Sequence, residues 1–358
     1  MSKGKAAIAM SGGVDSSVAA WLVQQAGYEA AGVTLKLYDN EDIGICNDKT
    51  CCSQRDVEDA ALVADRLGIP HYVLNYRQEF IDNVIKRFID AYCLGETPNP
   101  CIDCNKYIKF GKLCQAVRGM AFTHIATGHY ARIAYDAGSQ RWLLKKGVNQ
   151  EKDQSYVLYG LTQEQLAMTL LPLGDLSKLQ VREIAREKGF VNAGKHDSQD
   201  ICFVPDGNYS GFIERFTGKT FPQGDFVDPC GNILGRHGGL IKYTIGQRKG
   251  LGLAMGEPVY VKSKNIADNT VVVARDEELY TTAFEVRDVN LIACGYFNGT
   301  IRVKARIRYK HPEQWASVTM TGPDTMHVEF EKPQRAIAAG QAAVFYDDDV
   351  VFGGGTIC

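Results

Sequence analysis

Ser11-Gly12-Gly13-Val14-Asp15-Ser16-Ser17 follows an apolar run at residues 5–10, and a helical pattern over residues 15–26 begins inside it. This is the first strand-to-helix turn of the chain. Two glycines let the backbone turn sharply and bring several N–H groups toward one anion. Ser and Asp side chains stand where they can cap a helix whose N-terminus carries partial positive charge. The stretch predicts a phosphate-binding turn. No lysine follows the glycines as in a Gly-x-x-x-x-Gly-Lys-Ser/Thr loop, and the spacing is not Gly-x-Gly-x-x-Gly, so neither of those nucleotide modes applies.

Outward from the turn, strand and helix patterns alternate. Residues 30–36 and 71–75 read as strands and 54–67 as a helix, with Gly27 and Gly68 closing helices and Pro70 shortly after the second. That rhythm predicts βαβ units and a parallel sheet. Helices at 78–94 and 105–117 follow, then a strand at 124–127 ending at Gly128-His129, a hairpin at 131–134 and 141–145, and helical pattern over 161–188 broken at Pro172 and Gly174. After about Asp206 the texture turns Gly-rich with short strands, and from about Leu279 strands alternate without helix signals. The expected fold class is α/β plus all-β, divided into residues 1–206, a small mixed connector at 207–278 and a C-terminal β-barrel-like unit at 279–358.

The chain has 358 residues, 45% hydrophobic and 23% charged, enough apolar material for more than one core. Lys+Arg at 40 against Asp+Glu at 42 leaves a formal net charge of -2, so no global positive field draws it to nucleic acid. A nucleic-acid site must be a local patch. The N-terminal residues lack the long apolar segment of a signal peptide, and no stretch is long enough to span a bilayer, so a cytoplasmic protein with no membrane association is expected.

Eleven cysteines are the anomaly. An odd number in a chain expected to occupy a reducing compartment argues against a disulfide framework and raises metal or sulfur chemistry. Residues 97–106, TPNPCIDCNK, place Cys101 and Cys104 three positions apart before a helix expected to start near Asn105. Pro98 and Pro100 keep the approach extended. A thiolate near a helix N-terminus is stabilised, which predicts lowered pKa values for both thiols. By itself the pair reads as a redox couple, half a zinc site or part of an iron–sulfur site. Cys202 lies in an expected polar loop, while Cys46, Cys51 and Cys52 are read as structural or dispensable, with a zinc or protective role as the alternative.

Seven segments in order resemble the tRNA-specific 2-thiouridylases, the MnmA family of the PP-loop ATP pyrophosphatases. They are residues 11–17, 97–110 (TPNPCIDCNKYIKF), 126–132 (ATGHYAR), 152–158 (KDQSYVL), 198–204 (SQDICFV), 243–253 (YTIGQRKGLGL) and 340–346 (GQAAVFY). The resemblance implies an adenine nucleotide alpha hydrolase-like first domain. It implies an enzyme that adenylates the C2 carbonyl oxygen of the wobble uridine and replaces it with sulfur, giving 2-thiouridine, AMP and pyrophosphate. ATP would meet Ala9, Met10, Ser11, Gly12, Gly13, Val14, Asp15 and Ser16, with Leu35 and Gly128 at the ends of two further strands and Asp15 helping to position Mg2+. Cys202 matches the carrier of a sulfane sulfur and Cys104 its partner nucleophile. Asn99, Pro100 and Cys101 would face the target base. Many relatives carry Asp where this chain has Cys101, so a [4Fe–4S] cluster on Cys101, Cys104 and Cys202 stands beside the persulfide reading. Sulfur would come from a cysteine desulfurase, a sulfur carrier or free sulfide.

The same resemblance assigns tRNA contacts to His129, Lys152, Asp153, Gln154, Arg308, Tyr309 and Gln341. Residues 301–310, IRVKARIRYK, alternate with period two, which predicts a strand with five cations on one face. Such a face suits a phosphate backbone. Two other readings stand beside thiolation: another adenylating enzyme of the same superfamily, and a non-catalytic tRNA-binding iron–sulfur protein.

Overall fold

The computed structural model of the chain describes residues 3–39, 43, 54–196 and 200–358. Cys46, Cys51 and Cys52, and the residues Ser198 and Gln199 of the segment before Cys202, lie outside them. The first unit opens with β1 (Lys5–Ala9), α1 (Val14–Gln25), β2 (Glu29–Lys36), α2 (Gln54–Leu67) and β3 (His71–Asn75). Ala6, Ala7 and Ile8 of β1 are fully buried because the strand is central and covered on both faces. A helical segment α3 (77–93) follows, then α4 (100–119), β4 (His124–Ala126) and a hairpin of β5 (Ala131–Asp136) and β6 (Arg141–Lys146). Next come α5 (Gln163–Ala167), β7 (Thr169–Leu170) and α6 (Lys178–Glu187). The sheet runs β3-β2-β1-β4-β7 and every neighbouring pair is parallel. β7 has only two residues, too few for a periodic signal in sequence.

α4 starts earlier than its sequence predicts. Pro100 is its first residue, and the Asn99 side chain caps it by accepting from the Cys101 N–H at 3.1 Å. Proline is tolerated at this position because the first amides of a helix have no partner inside it. Cys101 and Cys104 therefore sit in the first turns of a helix, which continues with π-helical bonding from Cys104 to Lys112.

A smaller unit comprises α7 (Tyr209–Thr217) and a sheet of β8 (Gly224–Val227), β9 (Ile233–His237), β10 (Tyr260–Asn265) and β11 (Thr270–Ala274), ordered β10-β11-β8-β9. Phe226, Val261, Val271 and Val273 form its own core. The last strands are β12 (Tyr280–Leu291), β13 (Thr300–Arg306), β14 (Gln314–Met320), β15 (Met326–Arg335), β16 (Ala342–Asp347) and β17 (Val350–Ile357). They run β12-β15-β14-β13-β16-β17, and β17 pairs back with β12, closing a six-stranded antiparallel barrel. Closure removes the exposed edges an open sheet would present. β17 also meets β6 at Val350 and Lys145, so the hairpin of the first unit extends the barrel sheet.

The expected basic face on residues 301–310 is smaller than its alternation predicts. β13 ends at Arg306, whose guanidinium turns inward to Asp153 and Glu313, and Arg302 pairs with Glu331 at 2.6 Å. Periodicity gives the face a residue occupies but not the acidic partner that another strand brings to it. Among the described residues, no helix is long and apolar enough to cross a membrane.

Candidate functional site

Gly13 is the N-cap of α1, and no side chain caps that helix. The Ser16 and Ser17 hydroxyls, expected to cap, donate instead to the Gly13 carbonyl, each at 3.0 Å. The first-turn amides and the positive dipole end are thus left for an external anion. Gly12 has φ +70°, and a Cβ there would collide with the Asp56 backbone carbonyl. At the end of β4, a Cβ on Gly128 would lie 2.8 Å from both the Asp15 carbonyl carbon and the Ser16 nitrogen. Glycine is required at both places so that neighbouring backbone can close on the turn. Met10 is buried beneath it, and its carbonyl accepts from the Thr34 hydroxyl at 2.8 Å, joining the ends of β1 and β2 where Leu35 also lies. The carboxyl end of a parallel sheet is where such folds receive nucleotides.

Residues that local sequence did not single out brace the turn. Lys178 donates to both Asp15 oxygens, at 2.7 and 2.8 Å, and the Tyr130 hydroxyl donates to Asp15 Oδ1 at 2.8 Å. Asn192 Nδ2 donates to the Gly12 carbonyl at 3.0 Å and to Ser17 Oγ at 2.9 Å. Lys195 reaches the same carbonyl at 3.2 Å and pairs with Asp56 and Asp59. Burial works against the Lys195 charge, but the bonds to Asp56 and Asp59 outweigh it and raise its pKa. One sequence signal existed for Lys178: it is the first residue of α6, directly after the Ser177 cap, where a cation opposes the helix dipole.

Cys104 and Cys202 border one aromatic cluster that contains Tyr38, Phe80, Phe88, Phe203 and Phe212. The Tyr38 hydroxyl donates to the Cys202 carbonyl at 2.8 Å, fixing that loop against the segment just beyond β2. Cys202 and the phosphate turn therefore share one end of the sheet. Contrary to the expectation of a lowered pKa, burial pushes the Cys104 thiol up to about 11, with Lys109 only partly offsetting it. Desolvation outweighs the helix end because Cys104 lies a full turn inside the helix. Cys101 is exposed, in the first turn of α4. Among the described residues, no three His, Cys, Asp or Glu side chains gather into a set that could hold a metal ion. The placement of Cys101, Cys104 and Cys202 therefore gives a [4Fe–4S] cluster no support.

His129 is buried, its Nδ1 lies 2.7 Å from the Thr127 hydroxyl, and burial together with Lys109 holds its pKa well below the ordinary value. It is a neutral imidazole at pH 7 and offers no cation to a phosphate. Asp153 is buried as well. Its carboxylate accepts from the Gly147 and Ser155 amides, from the Ser155 hydroxyl at 2.9 Å and from Arg306 at 3.3 Å. It ties the first unit to the barrel, so its expected contact with tRNA is not one its carboxylate can make from this position. Gln154 accepts from the Tyr130 amide at 3.0 Å, and the Gln341 amide donates to the Thr97 carbonyl at 2.7 Å. Lys152 is half-buried, and Arg308 and Tyr309 are exposed. A cleft of about 530 Å³ opens beside them, lined by Arg132, Lys146, Lys304 and Arg306 and by Asp153, Glu313, Asp348 and Asp349. Its charges balance, so it supplies no net positive field of its own.

Residues 4–206 match the family model described as tRNA methyl transferase HUP domain, residues 210–275 the tRNA methyl transferase PRC-barrel domain, and residues 281–357 the aminomethyltransferase beta-barrel domain. The tRNA-specific 2-thiouridylase MnmA of Clostridioides difficile (strain 630) is 49% identical over 353 residues, covering 99% of this chain and 98% of that protein. That of Moorella thermoacetica is 50% identical over 350 residues, covering 98% of each. A solved 4-thiouridine synthetase–RNA complex with bound ATP is a remote likeness, with 20% identity and a TM-score of 0.35 over 60% of this chain and 53% of its own.

Proposed function

The chain belongs to the family of tRNA-specific 2-thiouridylases, and from that premise we propose that it carries out ATP-dependent 2-thiolation of the tRNA wobble uridine with the residues gathered at one end of its parallel sheet. The observation that carries the proposal is the meeting there of an uncapped, glycine-shaped phosphate turn with two cysteines on one aromatic cluster. The family models' descriptions speak of methyl transfer, the relatives' names of thiolation. A phosphate turn beside paired thiols supports the second, because methyl transfer from a sulfonium donor needs neither.

In this reading the amides of residues 11–16 take the phosphates of ATP, and Ala9, Met10, Leu35 and Gly128 border the nucleotide. Asp15 is the hard oxygen donor suited to Mg2+, which would neutralise charge on the leaving pyrophosphate. Lys178 and Tyr130 orient that carboxylate. The uridine O2 attacks the α-phosphorus of ATP and pyrophosphate departs. The terminal sulfur of a Cys202 persulfide then attacks C2, and AMP departs with its oxygen. Cys104 thiolate attacks the Cys202 sulfur, forming a Cys104–Cys202 disulfide and releasing 2-thiouridine. A reductant and a sulfur donor restore the enzyme. Cys104 must first lose its proton, which its burial opposes.

The division of labour we propose assigns nucleotide and chemistry to residues 1–206, a connecting role to 207–278 and tRNA contact to 279–358, aided by Lys152 and Gln154. Asn99, Pro100 and Cys101 face the base, and Lys152, Arg308 and Tyr309 meet the tRNA backbone. A wobble base in an anticodon loop is unpaired, which keeps the cost of extruding it low.

The test combines purified protein, unmodified tRNA, Mg2+·ATP and sulfide or a persulfide donor, with pyrophosphate and 2-thiouridine measured separately. Cys104→Ser and Cys202→Ser are expected to retain tRNA-dependent pyrophosphate release and lose persulfide-dependent 2-thiouridine. Full thiolation in both variants refutes the cysteine assignment, and wild-type protein that releases no pyrophosphate with tRNA refutes the function.

A further inference from the structure

The barrel reaches into the nucleophile's own loop. The Thr97 N–H donates to the Ala339 carbonyl at 2.8 Å, and Gln341 Nε2 donates to the Thr97 carbonyl at 2.7 Å. Both backbone groups of Thr97 are thereby held by residues 339–341. That segment is itself fixed to β17, where Gly340 N donates to the Ile357 carbonyl at 2.9 Å and Ile357 N to the Gln341 carbonyl at 2.8 Å. Gly340 has φ +84°, and a Cβ there would stand 2.7 Å from the Glu96 Cβ and 3.0 Å from the Thr97 nitrogen. Arg287 of β12 pairs with Glu96 at 2.9 Å, a second tie one residue upstream.

What lies downstream makes the tie consequential. Pro98 and Pro100 fix two of the three backbone φ angles between Thr97 and Cys101, and Asn99 caps the helix that carries both cysteines. A stiff connection transmits a displacement of Thr97 to Cys101 and Cys104, where a flexible one would absorb it. We propose that Gln341 is a positioning residue for sulfur transfer: it sets the Thr97 loop, and through it Cys104, from the barrel. This inference rests on the thiolation reading above and differs from the tRNA contact that the family resemblance gives to Gln341.

Gln341→Met keeps the length of the side chain and removes the donor. Gln341→Lys restores a donor and adds a positive charge. In single-turnover reactions at saturating tRNA, Gln341→Met is expected to slow 2-thiouridine formation about tenfold, in line with the sensitivity of transfer reactions to misplacement. Pyrophosphate release and the tRNA dissociation constant stay within twofold, and Gln341→Lys recovers most of the thiolation rate. Amide hydrogen exchange over residues 97–104 is expected to rise in Gln341→Met and to return toward wild type in Gln341→Lys. Unchanged exchange in Gln341→Met overturns the positioning role whether or not the protein is active. So does a tenfold weaker tRNA affinity with an unaltered rate at saturation, which would make the side chain an RNA contact. Failure of the thiolation reading looks different, since wild-type protein would then release no pyrophosphate.

Discussion

The Lys178 ammonium bridges both carboxylate oxygens of Asp15. The two residues lie 163 positions apart, and the bridge fixes a side chain of the phosphate turn from a helix that begins after the last strand of the sheet. Lys178→Met leaves Asp15 with the Tyr130 hydroxyl as a remaining donor. ATP affinity, read by calorimetry with a non-hydrolysable analogue and Mg2+, is expected to fall roughly tenfold, about the worth of one charge-assisted hydrogen bond. Wild-type affinity in the variant would remove Lys178 from the site.

Gly12→Ala should act through shape. It forces a Cβ into the Asp56 carbonyl at a positive φ that side chains disfavour. A loss of roughly 1–3 kcal/mol is expected for strain of this kind, seen as a lower denaturation midpoint, together with loss of ATP-induced stabilisation. A variant as stable as wild type that still binds ATP contradicts the close approach.

Cys104 should respond to pH as a buried thiol. With its pKa at about 11, it is neutral at pH 7. Its alkylation by iodoacetamide, followed by peptide mass spectrometry, is expected to accelerate close to tenfold per pH unit from 7 to 10. The linkage has a definite sign. A thiol whose folded pKa lies above its unfolded value of roughly 8.5 keeps its proton longer in the native state, so its contribution to stability is lost as pH rises from there to about 11. A rate that levels off near pH 8 would show a thiol that the helix end has activated.

Asp153 and Lys152 should separate structure from binding. Asp153→Ala strips Arg306 of one of its two carboxylates at the junction of hairpin and barrel. The expected cost is about 3–5 kcal/mol, the range for breaking a buried pair from one side, measured by denaturation without tRNA. Lys152→Ala should leave stability nearly unchanged, weaken tRNA binding for every sequence alike and reduce the salt slope by about one ion. The reverse pattern would make Asp153 the contact and Lys152 the structural residue.

Much of this was legible along the chain. The phosphate turn, the βαβ rhythm, the closing β-rich segment and the Cys101–Cys104 pair are local patterns, and local patterns survive in sequence because near neighbours create them. Gly12 and Gly13 read in sequence as a sharp turn toward an anion, whereas the Asp56 backbone that closes on Gly12 is brought there by the fold. The start of α4 was misplaced because Pro100 reads as a break inside a helix and as a natural first residue at its start, a choice that the Asn99 cap settles.

Sequence by itself determined the order of most elements, the glycine-bearing turn between the first strand and helix, and which thiols belong to motifs. The tertiary structure decided which charges are already paired, which titratable groups are buried and which segment holds the loop ahead of Cys101 and Cys104. Arg302 and Arg306 looked like a basic face until Glu331, Glu313 and Asp153 met them, and Cys104 looked activated until the aromatic cluster beside it raised its pKa by desolvation. The physical reason is one of range. Helix and strand patterns depend on residues a few positions apart, whereas desolvation and charge pairing depend on whatever the fold brings within a few ångströms, and the Thr97–Gln341 bond spans 244 positions of chain.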